Sequence, residues 1–312
     1  MAYGNRRTAV LWLLCVAQLM CVLDISIVNI AIPSIQRELG VASSSLQWVL
    51  TAYVLTYGGF LLVGGRLGDL LGRRRVLLAG LVLFTASSAL GGLSANAAML
   101  FAARAGQGLG AALISPTVLS FIAGIFPEGA ERNRALGLHG AVTGAGFALG
   151  LILGGLLTAT VGWRWVFYIN LPIAVGVIAG VMWMLKETRR EEVPVDIPGA
   201  VLATAALALT TYTFAGTEQH GLLSGRTLTL AVASAALFFA FYRSQRRAAH
   251  PLVPFELLRH KPLLFALVGA LTFGAVVGPS TFFLTQYLQN VSGFNPFWTG
   301  MAFMPQEIVL FI

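Results

Sequence analysis

Asp24 and Arg104 are charges standing where an apolar chain has least reason to carry them. Asp24 lies midway along a long apolar run, in LDISIVNIAIP. A carboxylate at mid-depth of a bilayer costs about 2.5–3.5 kcal/mol on insertion scales, so it must face a cavity, find a partner or hold a proton. Two readings follow: a proton or cation site, or a structural hydrogen-bond node shared with Asn29. Arg104, in RAGQGLGAA, is the one arginine placed inside an apolar span. Its guanidinium keeps its charge and needs a counter-ion or water, unless its stem snorkels to the nearby span end. Glu307 follows Pro305 in the last apolar run. It is read as a second titrating site, a wet pore-facing position, or part of a segment that does not insert.

A second concentration of charge is the stretch GRLGDLLGRRRVL at residues 65–77. It sets one carboxylate, Asp69, before the cations Arg73, Arg74 and Arg75. Gly65, Gly68 and Gly72 are expected to let the chain turn sharply and two helices approach closely. A third pattern is the glycine repeat of GAVTGAGFALGLILGGLL, with Gly146, Gly150 and Gly154 every four residues and Gly155 beside them. That spacing makes a small-residue packing face on a helix. Without a preceding strand, its Gly-x-Gly does not read as dinucleotide binding.

The elements carrying these residues follow from composition. The chain of 312 residues is 57% hydrophobic and 10% charged, against about 25% charged in average soluble proteins. Its apolar residues come in long runs, which describes an all-α polytopic membrane protein and not a β-barrel. The formal charge of +8 comes from cations in short loops, which argues against a nucleic-acid partner. Cys15 and Cys21 share the first apolar run and read as packing residues. The histidines lie in loops or near helix ends, so no metal site is expected. No phosphate-binding Gly-Lys-Ser/Thr loop, cofactor fingerprint or nucleophile–base pair stands out, so no cofactor and no enzyme activity are expected.

Candidate spans fall near 9–33, 46–65, 75–94, 98–125, 135–160, 164–185, 197–216, 226–243, 263–289 and 297–312. With the N-terminus inside, Arg6, Arg7, Arg66, Arg73–Arg75, Arg132, Arg134, Lys186, Arg189, Arg190 and most later cations fall on the cytoplasmic side. Arg37, Arg164 and Arg226 remain outside. That asymmetry predicts a multi-pass protein of the inner (plasma) membrane with a cytoplasmic N-terminus. Trp48 and Tyr53, and Trp163, Trp165, Phe167 and Tyr168, are expected at the outer interface or lining a cavity. The last span is still apolar at Phe311-Ile312, which predicts a fragment or a truncated gene product.

Taken together, these motifs resemble the fourteen-helix drug:proton antiporter branch of the major facilitator superfamily. The first-helix motif is matched at Asp24, Asn29 and Pro33, and the start of the second helix at Trp48, Thr51 and Tyr53. The charged stretch matches the loop between helices 2 and 3 at Gly65, Asp69, Gly72, Arg73 and Arg74. RAGQG matches the fourth-helix motif at Arg104, Gln107 and Gly108. GWRWVFYINLP and YLQNVSGFNPFWTGMAFMP match later junctions. The resemblance implies a major facilitator fold with a complete six-helix bundle at 1–190, a two-helix linker at 191–250 and the start of a second bundle at 251–312. It also implies a monomer that exports small amphipathic compounds against protons by alternating access. Asp24, Arg104 and Glu307 would serve proton coupling, with Asn29, Tyr53 and Gln107 at the substrate cavity. Asp69 with Arg73 and Arg74 would gate the cytoplasmic side. Two positions depart from the pattern. Leu151 stands where family members usually have Pro after Gly150, which weakens the export direction and admits a dedicated metabolite carrier. Leu70 replaces the cation often seen after the loop Asp. With much of the second bundle missing, a non-transporting remnant is the further alternative.

Overall fold

A computed structural model describes residues 2–187, 196–217, 221–249, 251–252 and 255–306. All regular structure among them is helical. The first part comprises α1 (Ala2–Leu39), α2 (Ser43–Leu46), α3 (Trp48–Leu71), α4 (Arg73–Gly92), α5 (Ala97–Ile125), α6 (Ala130–Thr160), α7 (Trp165–Tyr168) and α8 (Asn170–Met184). A hairpin of α9 (Ile197–Ala215) and α10 (Gly225–Arg247) follows, then a 3-10 turn (Phe255–Arg259), α11 (Lys261–Asn290) and α12 (Pro296–Ala302). Among the described residues eight helices are long and apolar enough to cross a membrane, with α7 and α8 together making one of them, and α9 adds the shorter apolar stretch Pro198–Phe214. The chain is a multi-pass membrane protein. Of the last expected span only the part to Gln306 is described, so Glu307 lies outside the described residues.

Helix starts are marked by residues that satisfy orphan amide groups. Asn96 Oδ1 accepts from the Met99 amide at 2.9 Å, Ser224 Oγ from Thr227 at 3.2 Å and Asn295 Oδ1 from Trp298 at 2.9 Å. Each caps a first turn in the usual way. The expected span 164–185 is covered by α7 and α8, which run on through Ile169 at φ −59° and ψ −28° as the single span Trp165–Met184. Pro172 has no amide to donate, so the irregular first turn of this span lies next to it.

The glycine repeat does what its spacing predicts for packing. A Cβ on Gly146 would lie 2.6 Å from Leu19 Cδ1, and one on Gly154 2.6 Å from the Ile27 carbonyl oxygen. On Gly150 it would strike Ser26 and sit 2.8 Å from the Leu23 carbonyl oxygen. α6 therefore lies backbone to backbone along α1. Gly155 faces the other way, toward α12, where an added Cβ would come within 3.0 Å of Phe297 Cα. Leu151, the departure noted above, is buried with Ile30 and Phe303 at this same junction.

α9 docks on α3 by the Thr204 hydroxyl, which donates to the Gly59 carbonyl at 2.7 Å. α11 is tied to α1 by Gln289, whose amide donates to the Ile30 carbonyl at 3.0 Å. These two attachments leave α1, α3, α9 and α11 around a shared cavity.

Candidate functional site: a buried carboxylate–guanidinium cluster

Asp24 is fully buried, and so are Arg104, Gln107, Ser88, Asn170 and Tyr53 around it. Arg104 Nη1 pairs with Asp24 Oδ2 and also donates to Gln107 Oε1 at 2.9 Å. Arg104 Nε donates to the Val49 carbonyl at 2.9 Å. Asp24 Oδ1 accepts from Gln107 Nε2 at 2.7 Å and from Asn170 Nδ2 at 2.8 Å. Both amides also reach Ser88 Oγ, at 3.2 and 3.0 Å, and Ser88 itself donates to the Phe167 carbonyl at 2.8 Å. The guanidinium carbon sits 4.5 Å above the Tyr53 ring, a cation–π contact, and the Tyr53 hydroxyl donates to the Cys21 carbonyl at 3.1 Å. Helices α1, α3, α4, α5 and α8 thus meet in one polar node.

The charged stretch at 65–77 is almost entirely helix. α3 continues to Leu71 and α4 starts at Arg73, so Gly65 and Gly68 lie inside α3 and only Gly72 turns, at φ +98°. Nothing before Gly72 breaks the helix, and only Gly adopts such a φ without strain. Asp69 and Arg73 pair at 3.2 Å, and Arg73 Nη1 also donates to the Ser120 carbonyl at 3.2 Å. Glu187, just past α8, accepts from the Arg74 backbone amide at 3.1 Å and faces Arg75 at 3.6 Å. It supplies the N-terminal cap that Gly72 has no side chain to provide. Arg74 Nη2 donates to the Met182 carbonyl at 2.8 Å.

At the opposite end of the bundle Glu38 pairs with Arg164 and accepts from Trp163 Nε1 at 2.7 Å. Arg164 also reaches the Ser94 carbonyl at 3.3 Å. Between the two ends, a cavity of about 610 Å³ opens beside the buried cluster. Its walls are Ile25 and Asn29 of α1, Gln47 at the start of α3, and Leu50, Thr51, Val54, Leu55, Gly58 and Gly59 of α3. Arg104 of α5, Leu207 and Thr211 of α9, and Gly278, Pro279, Phe282 and Phe283 of α11 close it.

The family profile described as Major Facilitator Superfamily matches residues 14–312. The chain belongs to that superfamily. It is 41% identical over 292 residues to the puromycin resistance protein pur8 of Streptomyces alboniger, covering 93% of this chain and 58% of that protein. It is 39% identical over 319 residues to the cephamycin export protein CmcT of Amycolatopsis lactamdurans, covering 99% of this chain and 64% of that protein. Among solved structures, a peptide transporter POT in complex with sulfate superimposes with a TM-score of 0.60 at 19% identity, over 93% of this chain and 64% of that one. That likeness shows a partial major facilitator fold. The chain spans 58–64% of the length of these two curated relatives.

Within this member of the superfamily, the structure brings Asp24, Arg104 and Gln107 together. It does not join Asn29 to them: Asn29 Nδ2 donates to the Ile25 carbonyl of its own helix at 3.2 Å, and its side chain lines the cavity. The shared node of Asp24 and Asn29 is therefore replaced by one built with Gln107 and Asn170. Arg104 does not snorkel, because Asp24 supplies its counter-ion in the interior. Tyr53 and Gln107, expected at the cavity, lie beneath it in the buried cluster. Tyr53 and Trp163 are buried rather than interfacial, each held by the polar group it serves: Arg104 for the one, Glu38 for the other. Ser88, Asn170 and Glu187 were not singled out from sequence. Asn170 had a signal, an amide immediately before Leu-Pro within an apolar span. Ser88 and Glu187 had none.

Proposed function

We propose that this protein is a proton-coupled secondary transporter that exports small amphipathic compounds across the plasma membrane, as a monomer, by alternating access. The observation that carries the reading is the set of donors on Asp24. An ionised carboxylate accepts from Arg104, Gln107 and Asn170 at once. A protonated one loses the charge that pairs with Arg104, and its new O–H needs an acceptor of its own, so the hold on Arg104 weakens. Taking up a proton therefore loosens Arg104, which lines the cavity. Proton and cavity share one residue, which is what coupling requires. One proton moved at about 100 mV supplies roughly 2.3 kcal/mol, and each pH unit adds about 1.4. That sustains a substrate gradient of tens-fold to a few hundred-fold.

In this reading residues 1–190 form the first bundle, 191–250 the linker and 251–312 the start of the second bundle, in the manner of the fourteen-helix branch. Asp69, Arg73 and Arg74 gate the cytoplasmic end, and the N-terminus is cytoplasmic. The printed names of the relatives, one for puromycin resistance and one for cephamycin export, support antibiotic-like cargo. The second of them, with the Leu151 departure, favours export of one dedicated metabolite as the alternative.

The test is movement of uncharged, anionic and cationic amphipathic probes driven by an imposed pH gradient in proteoliposomes of the full-length gene product. Accumulation that collapses with a protonophore supports the proposal, and its absence overturns it. Orientation is tested with Leu223→Cys in intact cells, since Cys15 and Cys21 are buried. An impermeant thiol reagent should label this exposed position. Lack of labelling in intact cells with labelling in lysed ones reverses the topology.

A further inference from the structure

The cavity beside the buried cluster carries a pair of unsatisfied polar atoms. Arg104 Nη2 and Asn29 Oδ1 are both buried and have no hydrogen-bond partner, and both side chains line the cavity. One is a donor and the other an acceptor. Leaving such groups unmatched in the interior is costly, so each is a place where a ligand gains free energy. Among the described residues Arg104 is also the single charged one in the lining, while Asp24 lies behind it and already accepts from three donors. The remaining wall is largely apolar, with Phe282 on one side and Leu207 of the linker hairpin on the other. The Thr211 hydroxyl, also in the wall, donates to the Leu207 carbonyl at 2.9 Å.

Resting on the exporter reading above, we infer that the cavity takes an uncharged or anionic amphipath and disfavours an organic cation. Such a ligand presents an acceptor to Arg104 and, where it is uncharged, a donor to Asn29. The α9–α10 hairpin forms part of the wall around its apolar body through Leu207 and Thr211. A carboxamide on a flat apolar skeleton satisfies both atoms. A carboxylate satisfies Arg104 but sets an oxygen against Asn29 Oδ1. An ammonium offers donors only and brings like charge to Arg104 in a low-dielectric wall.

The test uses three probes with one skeleton: pyrene-1-carboxamide, pyrene-1-carboxylate and pyrene-1-methylammonium. Binding to the 312-residue chain in lipid nanodiscs is read by fluorescence, with empty nanodiscs subtracted. The expected order of affinity is carboxamide, carboxylate, ammonium, with at least about fivefold between first and last. Asn29→Leu should lower carboxamide affinity several-fold and leave the carboxylate unchanged or tighter. Thr211→Trp should weaken all three. Ammonium binding as tight as the carboxamide, or no binding above empty nanodiscs, overturns the ligand class in the unaltered protein, whatever the variants do. Unchanged binding in Thr211→Trp removes the hairpin from the site. Gradient-driven export with the reverse ranking sinks this inference and leaves the exporter reading intact. The predicted ranking without gradient-driven movement does the opposite.

Discussion

The molecule contains the same chemical pair twice, in opposite surroundings. Asp24 and Arg104 have no exposed surface, whereas the Arg73 and Asp69 side chains retain 24% and 26% of theirs. Removing two charges from water costs several kcal/mol per ion, and attraction offsets that only when the remaining hydrogen-bonding groups are also met. The interior pair has most of that support in Gln107, Asn170, Val49 and Tyr53, with Arg104 Nη2 left unmatched beside the cavity. The Asp69 pair needs none of it: solvent solvates what the protein does not, and such a pair is worth about 1 kcal/mol or less. The interior pair therefore holds the fold and its chemistry together. The outer pair can form and break without threatening either, which suits a group that changes partner during a cycle.

The largest effect separating the two regions is expected from Arg104→Ala. It strands a buried carboxylate and should cost about 3–5 kcal/mol, seen as a lower unfolding midpoint in detergent. Asp24→Asn is also expected to be destabilising, because the amide leaves Arg104 without its counter-ion. The double variant Asp24→Asn with Arg104→Gln should recover much of the lost stability, since no buried charge remains. It should not recover pH-driven accumulation. A double variant that concentrates substrate with normal proton dependence places the coupling site elsewhere. A single Arg104→Ala as stable as the parent shows that the cluster is not one unit.

Much of the interior site was legible because burial of charge is improbable. Asp24 and Arg104 stand out of apolar runs by type alone, whereas Gln107 was named only through the family resemblance. Their mutual placement was not legible, since no spacing rule relates residue 24 to residue 104 across separate helices. Ser88 and Asn170 were invisible for a related reason: a Ser or Asn in an apolar helix is affordable alone, so neither advertises a partner. At the charged stretch the residues were legible and the shape was not. Three glycines suggested a loop, but only Gly72 takes a left-handed φ, because the leucines between them sustain the helix.

Gly72→Ala is the next largest effect. A side chain at φ +98° is strained, and its Cβ would strike the Glu187 carboxylate. A loss of about 1–2 kcal/mol is expected from the backbone alone, enough to rank the turn between the two ion pairs in a thermal unfolding series. A neutral result means that Gly72 is not the pivot. Glu187→Gln should cost less, about 0.5–1 kcal/mol, because the amide oxygen can still accept from Arg74 while the favourable charge at the start of α4 is lost. The loss should shrink in high salt. Equal losses at low and high salt point to packing in place of charge.

The smallest effect on stability, and the clearest separation of the regions, is expected from Asp69→Asn. The substituted amide keeps an oxygen that can accept from Arg73, and Arg73 retains its bond to the Ser120 carbonyl. Unfolding should therefore move by less than about 1 kcal/mol. What disappears is the charge. If the Asp69–Arg73 pair helps hold one of two conformations, removing it shifts their balance and slows turnover. Equilibrium substrate binding, governed by the cavity beside Arg104, should survive. The measurement is initial transport rate and binding affinity on the same preparation of the full-length protein. Impaired rate with intact binding supports gating at this end. A wild-type rate removes that role, and a lost affinity joins the two regions that their burial separates.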